Sequence, residues 1–519
     1  MKTKSKNRLN HCLNIISPAL LFGAVTGGVT AAVVVVYKFI ASKVIWLSEE
    51  FYHNIGNYVW LVPVVIAFLF GFAFLLSKLY AKIPNLKGGG IPTSIGALRG
   101  LFNFNWKNNL VGVFFISLVS FLIGVPLGNE GPSVQMGTAI GKGTVKLFAK
   151  KHSAWDRYVM TGGACAGFST ATGAPLSGIL FAIEEAHGRI SPMIIMVSVI
   201  SVLFSRIVTE FLCPLFSVSV SLFPKIDYVT LDNGILWLPL CIGAALGIFA
   251  VLFLRYYGFL ASLYSKCRKK TPAYIGLFLV FLLTLAFGAI SPDFISTGHE
   301  LILDLFNQSP VLIFLVLILV IRTTLTLFAN VSGVTGGIFL PLLALGAVSA
   351  GIFGEFLFSL GVSREYYSLI IALGIVGCIA GMMKMPLTAI LFGVEVLGFG
   401  ENILFALICS AAAYLITEIF AVESISDYVL DHRIHSSNKG ITPKTVERSF
   451  VIEKNSFAVG KEIRDIFWPY NFNILSVEKA DPDSLSHLLN AGDIITVHYA
   501  TYDEEKTLKE LSAVIDEIK

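Results

Sequence analysis

The stretch PLGNEGPSVQMGTAIG (126–141) puts a carboxylate, Glu130, at the broken end of an apolar run, LVGVFFISLVSFLIGV. A charged acid at mid-bilayer costs about 3 kcal/mol or more, so its position needs a chemical reason. A helix N-terminus supplies one. Its unpaired backbone N–H groups carry roughly half a positive charge, and the carboxylate stays ionised by serving as their anion. There it would compete with a permeating anion and leave when protonated. A second pair of acids, Glu184 and Glu185 in FAIEEAH (181–187), ends another apolar run. Adjacent acids on a helix point in different directions, so one can serve structure and the other an aqueous path. His187 beside them reads as an interfacial residue rather than a proton relay.

An internal repeat separates the two acids. PLSGILFAIE, Pro175 to Glu184, matches PLTAILFGVE, Pro386 to Glu395, with six of ten positions identical at an offset of 211 residues (175 against 386). A weaker echo pairs Pro132 and Gly137 with Pro341 and Gly346. Glu184 has a repeat partner, Glu395, and reads as structural; Glu185 is unmatched and reads as the functional acid. Repeats with Gly/Pro-interrupted helices in matching places point to a binding site near the bilayer midplane.

Three Gly/Pro-rich stretches predict helices that begin inside the membrane: KGGGIPTSIGAL (87–98), GNEGPSVQMG (128–137) and SGVTGGIFLP (332–341). Proline suits a helix's first turn because its missing N–H is not needed there. Glycine lets the backbone approach a ligand closely. Several such termini converging on one point make an anion site without a full positive charge. Lys and Arg are absent from these stretches apart from Lys87 at one edge, with Arg99 just beyond another. A true cation in the centre would hold an anion too tightly to release it.

The elements that must position these residues follow from composition. The chain has 519 residues, 55% hydrophobic and 14% charged, where a soluble domain is about a quarter charged. It reads as an all-α polytopic membrane protein of roughly ten spans, each needing about 20 apolar residues, followed by a small C-terminal α/β domain. The basic start, MKTKSKNR, runs on past Ile40 without a small-residue cleavage site, so no cleaved signal is expected. Basic clusters at 78–87, 146–151 and 266–270 place the N-terminus and the C-terminal domain in the cytoplasm. The net charge of +4 reflects these loops, and no nucleic-acid partner is expected. Seven cysteines lie scattered, without metal or redox spacing. No HExxH motif, nucleophile–base pair or TVGYG filter occurs, which argues against an intramembrane hydrolase and a cation channel; neither an enzyme nor a cofactor is expected. The domains read as 1–440 for transport, with halves at about 14–215 and 230–435, and 445–519 for regulation. In the latter, RSFVIE, NFNILSVEK and DIITVHYA read as strands, and GKEIRDIF and EEKTLKELSAVIDEI as amphipathic helices.

These residues resemble the CLC family of chloride channels and proton-coupled anion antiporters over about 400 residues. GGGIP looks like the family's GSGIP and GNEGP like its GREGP or GKEGP. GGIFLPLLALGA is similar to its GGIFxP element, and ESISDYVLDHR to its final SIYD-type helix. The resemblance implies a homodimer with one pore per subunit, each subunit built from two inverted halves. It implies that Glu130 is the external gating glutamate and Glu185 the internal proton-transfer glutamate. The N–H groups of Ile338 and Phe339 would hold the central anion, with Gly89, Gly90, Ile91, Gly131 and Ser426 also lining the anion path. Three departures stand out: Gly89 replaces the usual pore serine, Ser426 the usual central tyrosine (Tyr428 lies two residues on), and Asn129 the usual Arg or Lys. The expected function is chloride/proton antiport. The fluoride-exporting branch also departs at the serine and tyrosine, so a fluoride/proton antiporter is an alternative, as is a passive chloride channel. SFAVGKEIRDIF and LLNAGDIITVHYA resemble the TrkA-C (RCK-C) domain, which implies dimerisation and a small ligand such as a cyclic dinucleotide.

Overall fold

The computed structural model of the protein describes residues 16–88, 90–148, 153–224, 226, 228, 235–437, 444–469, 472–481 and 487–516. Among them, the first half of the membrane part runs α1 (Ser17–Asn54), α2 (Val62–Lys82), α3 (Ile91–Leu98), α4 (Trp106–Leu122), α5 (Glu130–Phe148), α6 (Asp156–Thr172), α7 (Pro175–Phe181) and α8 (Pro192–Phe216). The second half repeats the order with α9 (Trp237–Arg268), α10 (Ala273–Gly288), α11 (His299–Asn307), α12 (Leu312–Ser332), α13 (Phe339–Ser359), α14 (Tyr367–Met382), α15 (Pro386–Glu395) and α16 (Ile403–Ile419). A closing helix, α17 (Ile425–Ser437), follows.

The repeat read from Pro175 and Pro386 extends to the packing. In the first half α1 lies on α6 and α8, and α5 on α4 and α6; in the second, α9 lies on α14 and α16, and α13 on α12 and α14. The halves meet where α7 crosses α15. Glycines set the close approach at matching places. A side chain on Gly137 would collide with the backbone of Gly163, and one on Gly346 with that of Gly374.

Proline at the first or second position starts α3, α7, α8 and α15, where its fixed φ suits the helix. The three Gly/Pro stretches start α3, α5 and α13 as expected. At eight and seven residues, α3 and α7 are too short to cross a hydrocarbon core of about 30 Å. Among the described residues seven helices are long and apolar enough to span, and α4, α10, α15 and α16 are shorter apolar helices. The roughly ten spans expected from the sequence therefore divide into complete crossings and partial ones, whose ends meet inside the protein.

The C-terminal domain has strands β1 (Lys444–Val451), β2 (Phe472–Glu478) and β3 (Ile494–Thr501), then α18 (Glu504–Ile515). The sheet order is β1-β3-β2, antiparallel throughout, with Lys444 opposite Thr501 and Phe472 opposite Tyr499. Central β3 alternates, burying Ile495, Val497 and Tyr499. Asp503 caps α18 by accepting from the N–H of Lys506. One expectation fails: GKEIRDIF holds only a 3-10 turn, Ile463–Asp465. Its apolar residues continue into a contiguous run, Ile466, Phe467 and Trp468, all buried. That pattern suits an irregular segment pressed onto a surface better than one helix face.

Candidate functional site

Three helix N-termini meet through three glycines. A Cβ on Gly90, just before α3, would stand 2.9 Å from Cα of Gly131, in the first turn of α5. A Cβ on Gly131 would stand 2.6 Å from Cα of Gly337, just before α13. No other residue fits this stack, and Gly90 also has φ of 98°, a backbone region that disfavours side chains. The loops before α5 and α13 are locked by a two-bond antiparallel bridge: Gly128 N–H donates to Gly337 O at 2.6 Å, and Gly337 N–H to Gly128 O at 2.8 Å. The N–H of Gly88 donates to Gly333 O at 2.9 Å, tying in the third loop.

The first-turn N–H groups of a helix have no partner within it. In α13 they belong to Ile338, Phe339 and Leu340, since the first intrahelical bond runs from Leu342 N–H to Ile338 O. Glu130, fully buried, folds its carboxylate back over Gly128, where a side chain would collide with it. The carboxylate faces the backbone N–H of Leu340, although neither oxygen is aligned for a full hydrogen bond. Lys38 and His299 act on it through space. Lys38 is held at Ser219 O, 2.9 Å away, and His299 Nε2 at Leu222 O, 2.8 Å away.

Glu185 sits in a π-helical turn, Ala182–His187, that continues α7. Its buried carboxyl faces the hydroxyl of Ser426, but Oε1 of Glu185 and Oγ of Ser426 both lack an aligned hydrogen bond. The turn is pinned by Arg99. Its guanidinium donates to Glu185 O at 2.9 Å and Ala186 O at 3.0 Å, and pairs with Asp427 at 2.6 Å. One side chain therefore fixes the end of α3, the Glu185 turn and the start of α17. Glu184 turns the other way and accepts from the N–H groups of Leu387 and Thr388 at 2.9 and 2.7 Å, capping α15. Phe339, in the first turn of α13, meets Phe168 and Phe392 edge-on, and Phe168 stacks on Phe181 of α7.

The C-terminal domain docks against the end of this turn. Phe467 packs on Tyr158 and His187, with ring centroids 4.3 and 4.7 Å apart, and the guanidinium groups of Arg157 and Arg189 stand over its faces at 4.7 and 4.8 Å. Arg157 donates to Trp468 O at 2.8 Å, Arg189 to Ile466 O at 3.2 Å and Ser191 to Asp465 at 3.1 Å. His187 shares a hydrogen bond with Thr161 at 2.8 Å. It is thus half-buried against the C-terminal domain.

The structure brings Gly90, Glu130, Gly131, Ile338 and Phe339 together, with Ile91 beginning α3 beside them. Gly89 lies outside the described residues. The N–H of Gly90 is already taken by Gln135 Oε1 at 2.5 Å, so this glycine serves the stack rather than offering a free donor. Ser426 belongs with Glu185, away from the glycine stack. Lys38, Arg99 and His299 escaped the sequence reading. A lone lysine inside VVVVYKFIAS was a usable signal, since buried charge in a span is rare and costly; Arg99 and His299 gave no local sign.

The description "Voltage gated chloride channel" matches residues 71–418. The H(+)/Cl(-) exchange transporter ClcA of Vibrio vulnificus (strain YJ016) is 29% identical over 443 residues, covering 81% of this chain and 91% of that protein. ClcA of Vibrio parahaemolyticus serotype O3:K6 is 28% identical over 438 residues, covering 82% and 91%. Among solved structures, a slow cyanobacterial Cl-/H+ antiporter superposes with TM-score 0.71 at 24% identity, covering 81% of this chain and 99% of that one. A CLC-type fluoride/proton antiporter gives 0.64 at 20% identity, covering 78% and 96%. Both structures share the fold.

Proposed function

The chain belongs to the voltage gated chloride channel family, and we propose that within it the protein is a chloride/proton antiporter. The carrying observation is the placement of two buried carboxyls. Glu130 lies where three helix N-termini meet, and Glu185 lies on the inner turn beside Ser426. A passive channel has no use for the second. The ionised Glu130 carboxylate occupies the field of the α13 N-terminus as an anion would. Protonation removes its charge, the attraction to the N–H groups falls, and chloride takes the place. Glu185 exchanges protons with the inner side. The aromatic contacts of Phe168, Phe181, Phe339 and Phe392 link the α13 terminus beside Glu130 to the helix that leads to Glu185, and the two acids are the groups that would carry the proton.

Flux from purified protein in liposomes tests this, with a chloride gradient imposed and a pH electrode outside. Chloride entry should drive protons against their own gradient. Chloride flux without proton movement favours the passive channel, and flux with fluoride alone favours the fluoride branch.

The protein would act as a homodimer. The outward faces of α8 and α16 expose Val199, Leu203 and Phe204, and Leu404, Leu407 and Leu415, which supports pairing through apolar helix faces. Removing residues 440–519 should leave a dimer in detergent. The basic inner loops support cytoplasmic placement of the N-terminus and the C-terminal domain. As a TrkA-C-like module, that domain would regulate transport, with a cyclic dinucleotide as the ligand to try. The Phe467 contact with the His187 end of the Glu185 turn gives it a direct route to the proton site. Calorimetry on the 445–519 fragment tests the ligand. In the full chain, Phe467→Ala should change the proton rate by about five- to hundredfold, the usual span of coupling between sites. An unchanged rate would leave the domain a structural appendage.

A further inference from the structure

A cavity of about 470 Å³ opens beside the start of α3, at the inner end of the pathway. Lys87, Arg268, Lys269 and Arg433 line it, with His432, and no acid is among its described lining residues. Arg433 is fixed, donating to Thr93 Oγ1 and Lys87 O at 2.7 Å each, while Arg268 and Lys269 are exposed at the rim. Lys87 and Arg433 repel each other, as do Lys87 and Arg268. Holding like charges around an open space costs energy that an anion of several charges would offset. At about 470 Å³ the cavity is far larger than a halide, and both the Lys87 end and the Arg268–Lys269 rim line it. An oligophosphate can span them, and Tyr257, Tyr264 and Phe102 on the walls offer aromatic faces to a base or ring attached to it.

We propose that this cavity binds a phosphate-bearing polyanion of the nucleoside diphosphate or triphosphate class, and that its occupation closes the inner mouth of the pore. The site is distinct from the Glu130 centre; only the closure rests on the transport reading above, because binding itself is read without transport.

Two measurements on the full chain test it. In detergent, at matched ionic strength, millimolar pyrophosphate or ADP should raise the melting temperature well beyond what chloride does. In liposomes, either should suppress chloride flux from one face of the membrane only. The rim variant Arg268→Glu/Lys269→Glu, with flux normalised to its own uninhibited rate, should weaken both effects by about tenfold, since reversing two contacting charges acts directly on the ligand. If soluble phosphates are inert but a phosphatidylinositol phosphate in the bilayer inhibits, and the rim variant removes that inhibition, the phosphate site stands and its occupant is a lipid headgroup. The proposal is overturned if no phosphate shifts melting or flux, if chloride stabilises as well as pyrophosphate, or if the rim variant responds like the wild type. Failure of proton coupling in untreated liposomes would count against the transport reading alone.

Discussion

Glu184 caps the helix that ends in Glu395, and Glu395 caps the helix that leads to Glu184. Glu184 accepts from Leu387 N–H, Thr388 N–H and Thr388 Oγ1, and Glu395 from Leu176 N–H, Ser177 N–H and Ser177 Oγ, all at 2.6–2.9 Å. The exchange fastens the two halves across the crossing of α7 and α15. Both helices start with proline at their first position, so the next N–H groups are the orphans the carboxylates satisfy.

Loss of either cap should therefore destabilise without uncoupling. Glu395→Ala and Glu184→Ala should each cost about 1–2 kcal/mol, read as lower melting temperatures in detergent, while the proton-to-chloride ratio of the surviving protein stays at its wild-type value. A changed ratio in Glu184→Ala would mean that the wrong member of the acid pair has been assigned to structure.

Glu130→Gln should leave chloride flux intact, remove its pH dependence and stop coupled proton movement, because the neutral amide no longer competes for the α13 terminus. Glu185→Gln should also stop the protons but leave Glu130 to titrate, so its chloride flux keeps a response to external pH. Liposome flux with a pH electrode separates the two. Proton pumping by Glu130→Gln would refute the gate assignment.

Arg99 should act as a positioning residue for Glu185. Arg99→Ala frees the carbonyls of Glu185 and Ala186 and lets the turn drift; loss of alignment of this kind lowers rates by about tenfold or more. The proton rate should fall while the chloride concentration for half-maximal flux holds. Arg99→Lys should recover only part, since an ammonium cannot reproduce the guanidinium fork. A shift confined to chloride affinity would move Arg99 to the anion path instead.

Asp493 gives the C-terminal domain an acid limit. Burial alone would raise its carboxyl, but N–H donors from Ala480 and Asn490 and the Lys479 ammonium at 2.9 Å outweigh burial and hold it below the ordinary aspartate value. A carboxyl lowered in the folded state contributes stability that is fully present above the unfolded value and is lost as pH falls through the folded one. Protection of β2 and β3 from hydrogen exchange should therefore persist at neutral pH and fade below about pH 4. In Asp493→Asn it should be weaker at neutral pH and nearly flat across that acid range. An equally steep acid loss in the variant would place the sensitive group elsewhere.

The helix starts were legible because their code is local. Proline and glycine act on their own residue's backbone, so KGGGIP, GNEGP and GGIFLP announce α3, α5 and α13 wherever the chain later carries them. The repeat, the half-helices and the strands of the C-terminal domain were readable for the same reason. The partners were not readable. Arg99 reaches the Glu185 carbonyl across 86 residues of sequence, Glu184 reaches Thr388 across 204, and Arg157 meets Trp468 across 311. Nothing in IRDIFW marks Phe467 for contact with two arginines, and the segment's apolar pattern misread as a helix. Sequence periodicity fixes which residues share a face, but which faces meet is decided by burial summed over the whole fold. Tertiary structure alone therefore set Lys38 and His299 around Glu130, Ser426 against Glu185, and the C-terminal domain beside the Glu185 turn.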